Sequence, residues 1–282
     1  MCIRDRGYLM YNQFAINSGE PLNDVFGDFK SAGITDLVLD LRYNPGGLAY
    51  ITQILGSLIH QPDPSKVFYN RRYNAALEEA WDLVGGQKTY FTANTGTNDG
   101  NSQIPLNSLD LNKIYVIATG SSASASELLI NGLRPYVEVV HIGSTTFGKN
   151  QGSFTLVDSP ATGYGYDPDR EDEINPNNRW AIQPITSQTE NSEGFGDYSD
   201  GLVANFMIEE DLAVLGELGD PSERMLARAL QEIDGLSSKR DLTAKFPVDF
   251  ITGSSLHKAD GGKLIFRDMP GTLNGKFHTG IK

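Results

Sequence analysis

Three short segments hold residue types that could do chemistry, and each also has an ordinary structural reading. Thr119-Gly-Ser-Ser-Ala-Ser-Ala-Ser-Glu127 gathers hydroxyls and small side chains where an apolar run gives way to helical spacing. A substrate could approach backbone and hydroxyls closely there; Ser124 and Glu127 also fit the capping box, in which an N-cap serine pairs with a glutamate three residues on. Asp40-Leu-Arg-Tyr-Asn-Pro-Gly-Gly47 ends an apolar run in two glycines. Glycines accept positive φ and expose N–H groups beside a helix start, which suits a developing negative charge, although ordinary strand-to-helix turns use the same residues. Gly143-Ser-Thr-Thr-Phe-Gly-Lys149 ends in a lysine with uncharged neighbours and no carboxylate within six residues. Burial can bring a lysine from about 10.4 towards 7 or 8, where a neutral amine takes a proton from a hydroxyl. The plain alternative is a surface lysine in a turn.

The same segment imitates a phosphate loop, since Gly143, Gly148 and Lys149 match G-x-x-x-x-G-K. Asn150 stands where a hydroxyl should hold magnesium, and Gln151 to Val157 alternates like a strand, whereas a phosphate loop must open a helix. Nucleotide binding is therefore disfavoured.

The elements that must position these segments are readable in outline. A short strand over Tyr8 to Phe14 leads to an amphipathic helix over Leu22 to Ser31, stopped by Gly33. Leu37 to Leu41 reads as strand, Asn44 to Gly47 as turn, and Ile51, Ile54, Leu55 and Leu58 as a helix face. The pattern repeats with Ile114 to Ala118, then Thr119 to Ser122, then Leu128, Leu129 and Leu133, after which Val137 to Ile142 resumes as strand. Strands alternating with helices predict an α/β layer architecture with a largely parallel sheet. Residues 61 to 110 read as an insertion with a helix at Trp81 and a polar loop over Thr92 to Ser102. Residues 152 to 186 read as a β-rich insertion interrupted by an acidic turn over 167 to 173, and a last helix spans Ser222 to Ile233, opened by Asp220-Pro221.

The chain has 282 residues, is 39% apolar and 21% charged, and carries a net charge of −13. That composition supports a real core and argues against nucleic-acid partners, whose phosphates the field would repel. No apolar run approaches the roughly 18 to 20 residues of a membrane-spanning helix. Cys2 is the only cysteine, so neither a disulfide framework nor a thiolate metal cluster can form within the chain. Residues 1 to 6 read as a translated adapter scar that leaves an N-terminal part unseen, and residues 7 to 235 read as one domain. Residues 236 to 282 hold eight Lys or Arg against four Asp and read as a basic tail.

Taken together and in order, D-L-R-Y-N-P-G-G, S-A-S-A-S-E and T-F-G-K resemble the catalytic domain of the S41 serine peptidases, the C-terminal processing or tail-specific proteases. The resemblance covers about 7 to 235, without the family's usual PDZ domain. It implies a ClpP/crotonase-like α/β core, a serine endopeptidase acting near the C-termini of protein substrates through an acyl-enzyme, and a place in the bacterial cell envelope. It implies Ser124 as nucleophile and Lys149, 25 residues on, as general base. The N–H of Ala125 and of Gly46 or Gly47 would receive the oxyanion. No cofactor or metal is implied, and the oligomeric state is not read. Some members carry an acidic residue eleven positions after the serine, where this chain has Pro135; others carry a glutamine four positions after the lysine, where it has Ser153. On a strand Gln151 and Ser153 would share a face with Lys149, so both are candidates to orient the amine.

Rival readings are few. His60 and His141 are the candidate histidine bases. The acidic turn could offer oxygens to calcium but lacks the EF-hand glycine and terminal glutamate spacing, so it reads as a solvated loop. A catalytically inert peptide-binding scaffold of the same fold is the alternative from a different class.

Overall fold

The computed structural model describes residues 2–3, 5–60, 63–80, 82–83, 85–96, 104–178, 180–211 and 215–235. The basic tail, Trp81 and most of the polar loop before Ser102 lie outside them. In chain order the elements begin with β1 (Cys2–Ile3), β2 (Arg6–Met10), α1 (Gly19–Ser31), β3 (Asp36–Asp40), α2 (Ala49–Ile59) and β4 (Val67–Tyr73). They continue with α3 (Ala75–Ala80), β5 (Gln87–Tyr90), β6 (Lys113–Ala118), α4 (Ala125–Leu133), β7 (Glu138–Gly143) and β8 (Gln151–Ser153). The last are β9 (Leu156–Val157), β10 (Ala181–Ile182), β11 (Ile185–Asn191), β12 (Phe206–Met207) and α5 (Arg224–Ile233).

One sheet runs β1-β2-β3-β6-β7-β12, parallel from β2 onward, with β1 antiparallel to β2 through Cys2 against Gly7. Its strands are apolar on both faces, as a sheet covered on both sides requires. Leu37 and Leu39 of β3, with Ile114 and Val116 of β6, enter a core shared with Phe26 and Phe29 of α1, Leu55 of α2 and Leu129 of α4. Val38, Tyr115 and Ile117 point the other way, onto Met225, Leu226 and Ala229 of α5. Leu-Val-Leu and Ile-Tyr-Val-Ile runs are thus read by both layers, which is why uninterrupted hydrophobicity here means strand and not helix. A smaller antiparallel arrangement pairs β4 with β5 and β11.

Of the boundaries that differ from the sequence reading, two have clear local reasons. The first strand ends at Met10, and Phe14 makes only an isolated bridge to Gly47. The last helix begins at Arg224, because the Glu223 carboxylate accepts from the N–H groups of Met225 and Leu226 and so caps it two residues after Pro221.

The described residues divide after Gln151 and before Ser187 into two compact units. Residues 152–186 form the second, which is mostly turns rather than strand. Its β9 and β10 make a two-residue antiparallel ladder, and 3₁₀ turns cover Pro160–Thr162 and Pro168–Glu173. The acidic turn answers its charge internally, with Arg170 pairing with Glu173 and the Tyr166 hydroxyl donating to Glu171. No helix among the described residues is long and apolar enough to cross a membrane.

Candidate active site

The three segments converge because they follow the carboxyl ends of β3, β6 and β7, which lie side by side and parallel. Such ends are where open α/β sheets place their sites. The loops are then stitched together. Leu41 N–H donates to the Ile117 carbonyl at 2.8 Å, Ser144 N–H to Ala118 at 3.1 Å and Phe147 N–H to Ser122 at 3.0 Å.

The hydroxyl-rich run sorts itself by partner. Thr119 donates its hydroxyl to the Arg42 carbonyl at 2.6 Å, Ser122 to Leu41 at 2.8 Å and Ser126 to Asn44 at 2.9 Å. All three are buried, and they fasten the β6 loop to the β3 loop. From Ser122 to Leu133 only Ser124 is not fully buried. It sits at φ 55°, ψ −109°, a backbone conformation that costs a non-glycine residue of order 1–3 kcal/mol. A sharp strained turn between strand and helix that lifts one serine above its neighbours is the geometry of a nucleophile elbow.

Gly46 and Gly47 have φ of 105° and 137°. A Cβ on Gly46 would meet the Ala123 carbonyl oxygen at 2.7 Å and the Ala125 nitrogen at 2.8 Å, so glycine is what lets this loop lie against the serine turn. The two glycines are not equivalent. Gly46 N–H donates to Asn44 Oδ1 at 2.9 Å, whereas Gly47 N–H and Ala125 N–H have no partner among the described residues.

Lys149 is half-buried between Gly148 and Asn150, both buried. The sequence neighbourhood without acid conceals a carboxylate brought in from α4. Glu127, fully buried, accepts from Thr146 Oγ1 at 2.6 Å, Gly148 N–H at 2.6 Å, Lys149 N–H at 2.8 Å and Ser124 N–H at 2.9 Å. The capping glutamate therefore ties the serine's turn and the lysine's loop to one group. This also disposes of the phosphate-loop imitation, because the amides of Gly148 and Lys149 are held by a carboxylate and Gly148-Lys149 leads into β8, not a helix. Glu127→Gln replaces an acceptor of four bonds with a group that turns an NH₂ towards some of the same donors. Each charge-assisted bond contributes about 1.5–3 kcal/mol. The expected result is a loss of about 3 kcal/mol or more in urea unfolding.

The remaining candidates are placed elsewhere. Gln151 is exposed, with no side-chain hydrogen bond among the described residues, and Ser153 is exposed in the second unit. The expected continuous strand over 151 to 157 breaks into β8 and β9; Gln151 and Ser153 alternate within β8, and Lys149 precedes that strand. His60 ends α2, at the opposite end of that helix from Gly47, with Nδ1 at 2.9 Å from the Leu111 carbonyl. His141 is fully buried in β7; burial pushes its imidazole below the ordinary histidine range, and Nε2 lies 3.2 Å from the Ala118 carbonyl. Neither imidazole is hydrogen-bonded to Ser124 among the described residues. Among the described residues no cluster of three or more His, Cys, Asp or Glu is arranged to hold a metal.

Behind the glycine loop lies an ionic cluster the sequence did not announce. Arg42, 1% exposed, contacts Asp40 at 2.9 Å and Glu223 at 2.8 Å, and Tyr8 donates to Asp40 at 2.8 Å. Burial alone would raise the Glu223 carboxyl, but the Arg42 hydrogen bond and the first amides of α5 outweigh it and hold it below the ordinary glutamate range. The end of β3 is thereby clamped to α5.

An open, mostly parallel sheet carries at one edge a strained serine turn, a neighbouring lysine loop and two amides without partners among the described residues. Residues 5–186, more than half of the chain, match the model of peptidase family S41, and the chain belongs to that family. It is 24% identical over 231 residues to a carboxyl-terminal-processing protease of Synechocystis sp., covering 81% of this chain and 44% of that one. It is 28% identical over 144 residues to the carboxy-terminal processing protease CtpB of Bacillus subtilis, covering 51% and 25%. The chain thus spans less than half the length of these relatives. A crystal structure of an S41 protease from Bacteroides fragilis superposes with a TM-score of 0.64 at 27% identity, over 82% of this chain and 55% of that one. The photosystem II D1 C-terminal processing protease shares the fold at a TM-score of 0.51 and 18% identity, over 79% and 46%.

Proposed function

We propose that this chain carries the catalytic machinery of a serine endopeptidase that cleaves protein substrates near their C-termini. The amine of Lys149 acts as general base, taking the Ser124 Oγ proton as Oγ attacks the scissile carbonyl carbon. The oxyanion that forms is received by the N–H groups of Ala125 and Gly47, since Gly46 N–H is already held by Asn44. Collapse breaks the C–N bond, and Lys149 returns the proton to the leaving amine. Water, deprotonated by the same amine, then hydrolyses the Ser124 ester. The observation that carries this reading is the shared anchor: the amides of Ser124 and Lys149 lie on one buried carboxylate. That holds the backbones of the serine turn and the lysine loop on one group before substrate arrives.

The test is a fluorophosphonate probe followed by mass mapping of the adduct. Modification of Ser124 alone is the expected result; an adduct at another serine, or none in folded protein, overturns the assignment.

A further inference from the structure

Phe147 stands out from the loop that holds the base. Its neighbours Thr146 and Gly148 are buried, yet its ring is 50% exposed. The ring cannot withdraw by moving the backbone. Phe147 N–H is bonded to the Ser122 carbonyl, and Thr146 and Gly148 on either side are both bonded to Glu127. An aromatic group left half in water on a fixed backbone is a preorganised apolar surface, and with two rotatable bonds it loses little freedom on being covered.

We propose that Phe147 is a specificity-determining residue, whose ring receives an apolar side chain on the first residue of the leaving fragment. The inference rests on the dyad reading above. Lys149 must reach both the serine hydroxyl and the departing amine, so the loop that carries it borders the leaving side of the scissile bond. Phe147 lies two residues before that amine. Apart from Lys149, residues 143–150 carry no charge.

Two peptide pairs measured with the full chain test this, one varying Leu against Ser at the first leaving-fragment residue, the other varying the same pair on the acyl side. Phe147→Ala should lower kcat/KM for the leaving-side Leu peptide by about 10- to 100-fold and leave the Ser peptide within about threefold. Phe147→Leu should restore most of the preference. Labelling of Ser124 by a small alkyl fluorophosphonate, which has no leaving-side residue, should be unchanged in both variants. Equal losses on all peptides with unchanged labelling, or a shift confined to the acyl side, overturns the proposal. Absence of Ser124 labelling in the wild type removes the dyad reading, and this one with it.

Discussion

Ser124→Ala is expected to give a folded protein whose peptide turnover falls by about 10³- to 10⁶-fold. As a helix cap alone, the residue would cost about 1 kcal/mol on truncation, and activity would follow only the folded fraction. The bond that Glu127 accepts comes from the Ser124 backbone, so alanine keeps that link. The neighbouring serines supply the control. Ser122→Ala and Ser126→Ala remove hydroxyls donated to Leu41 and Asn44 in the buried seam, so they should lose stability while each folded molecule stays active. Denaturant midpoints measured beside initial rates separate the patterns. Retention of more than about a tenth of the wild-type rate in folded Ser124→Ala would contradict the assignment, because loss of a nucleophile costs orders of magnitude more.

Lys149→Arg is expected to be equally inactive although it preserves charge and much of the size. Arginine stays protonated in proteins and cannot take the serine's proton. The backbone bonds at Gly148 and Lys149 do not depend on the side chain, so the fold should tolerate the change. A scaffold that only binds peptide would be indifferent to it. Probe labelling reads the outcome directly, since efficient modification of Ser124 in the arginine variant would mean that some other group activates it.

The sequence carried the sheet because Leu37 to Leu41 and Ile114 to Ala118 are apolar on both faces, a pattern that few other elements share. It also carried the order of the three loops. What it could not carry were contacts between distant residues. Glu127 is readable as a cap three residues after Ser124, yet its bonds to Thr146, Gly148 and Lys149 cross 19 to 22 residues. Nothing in S-S-A-S-A-S distinguishes its hydroxyls until the β3 loop arrives to accept two of them. That Gly46 N–H, and not Gly47 N–H, is bonded likewise depends on where the Asn44 side chain turns. In the 151 to 157 stretch, alternation predicts one strand, whereas the polypeptide changes unit there.

The clamp between Arg42 and Glu223 joins residues 181 positions apart. At about 5–20 residues per second, a ribosome needs roughly 10–40 s to pass from one to the other. Throughout that interval the glycine loop has emerged, but the guanidinium lacks its Glu223 partner and the far face of the sheet has no α5 to cover it. The strand end that aligns the reactive edge is therefore secured from its far side only after α5 has been made, which ties the maturation of the site to that helix.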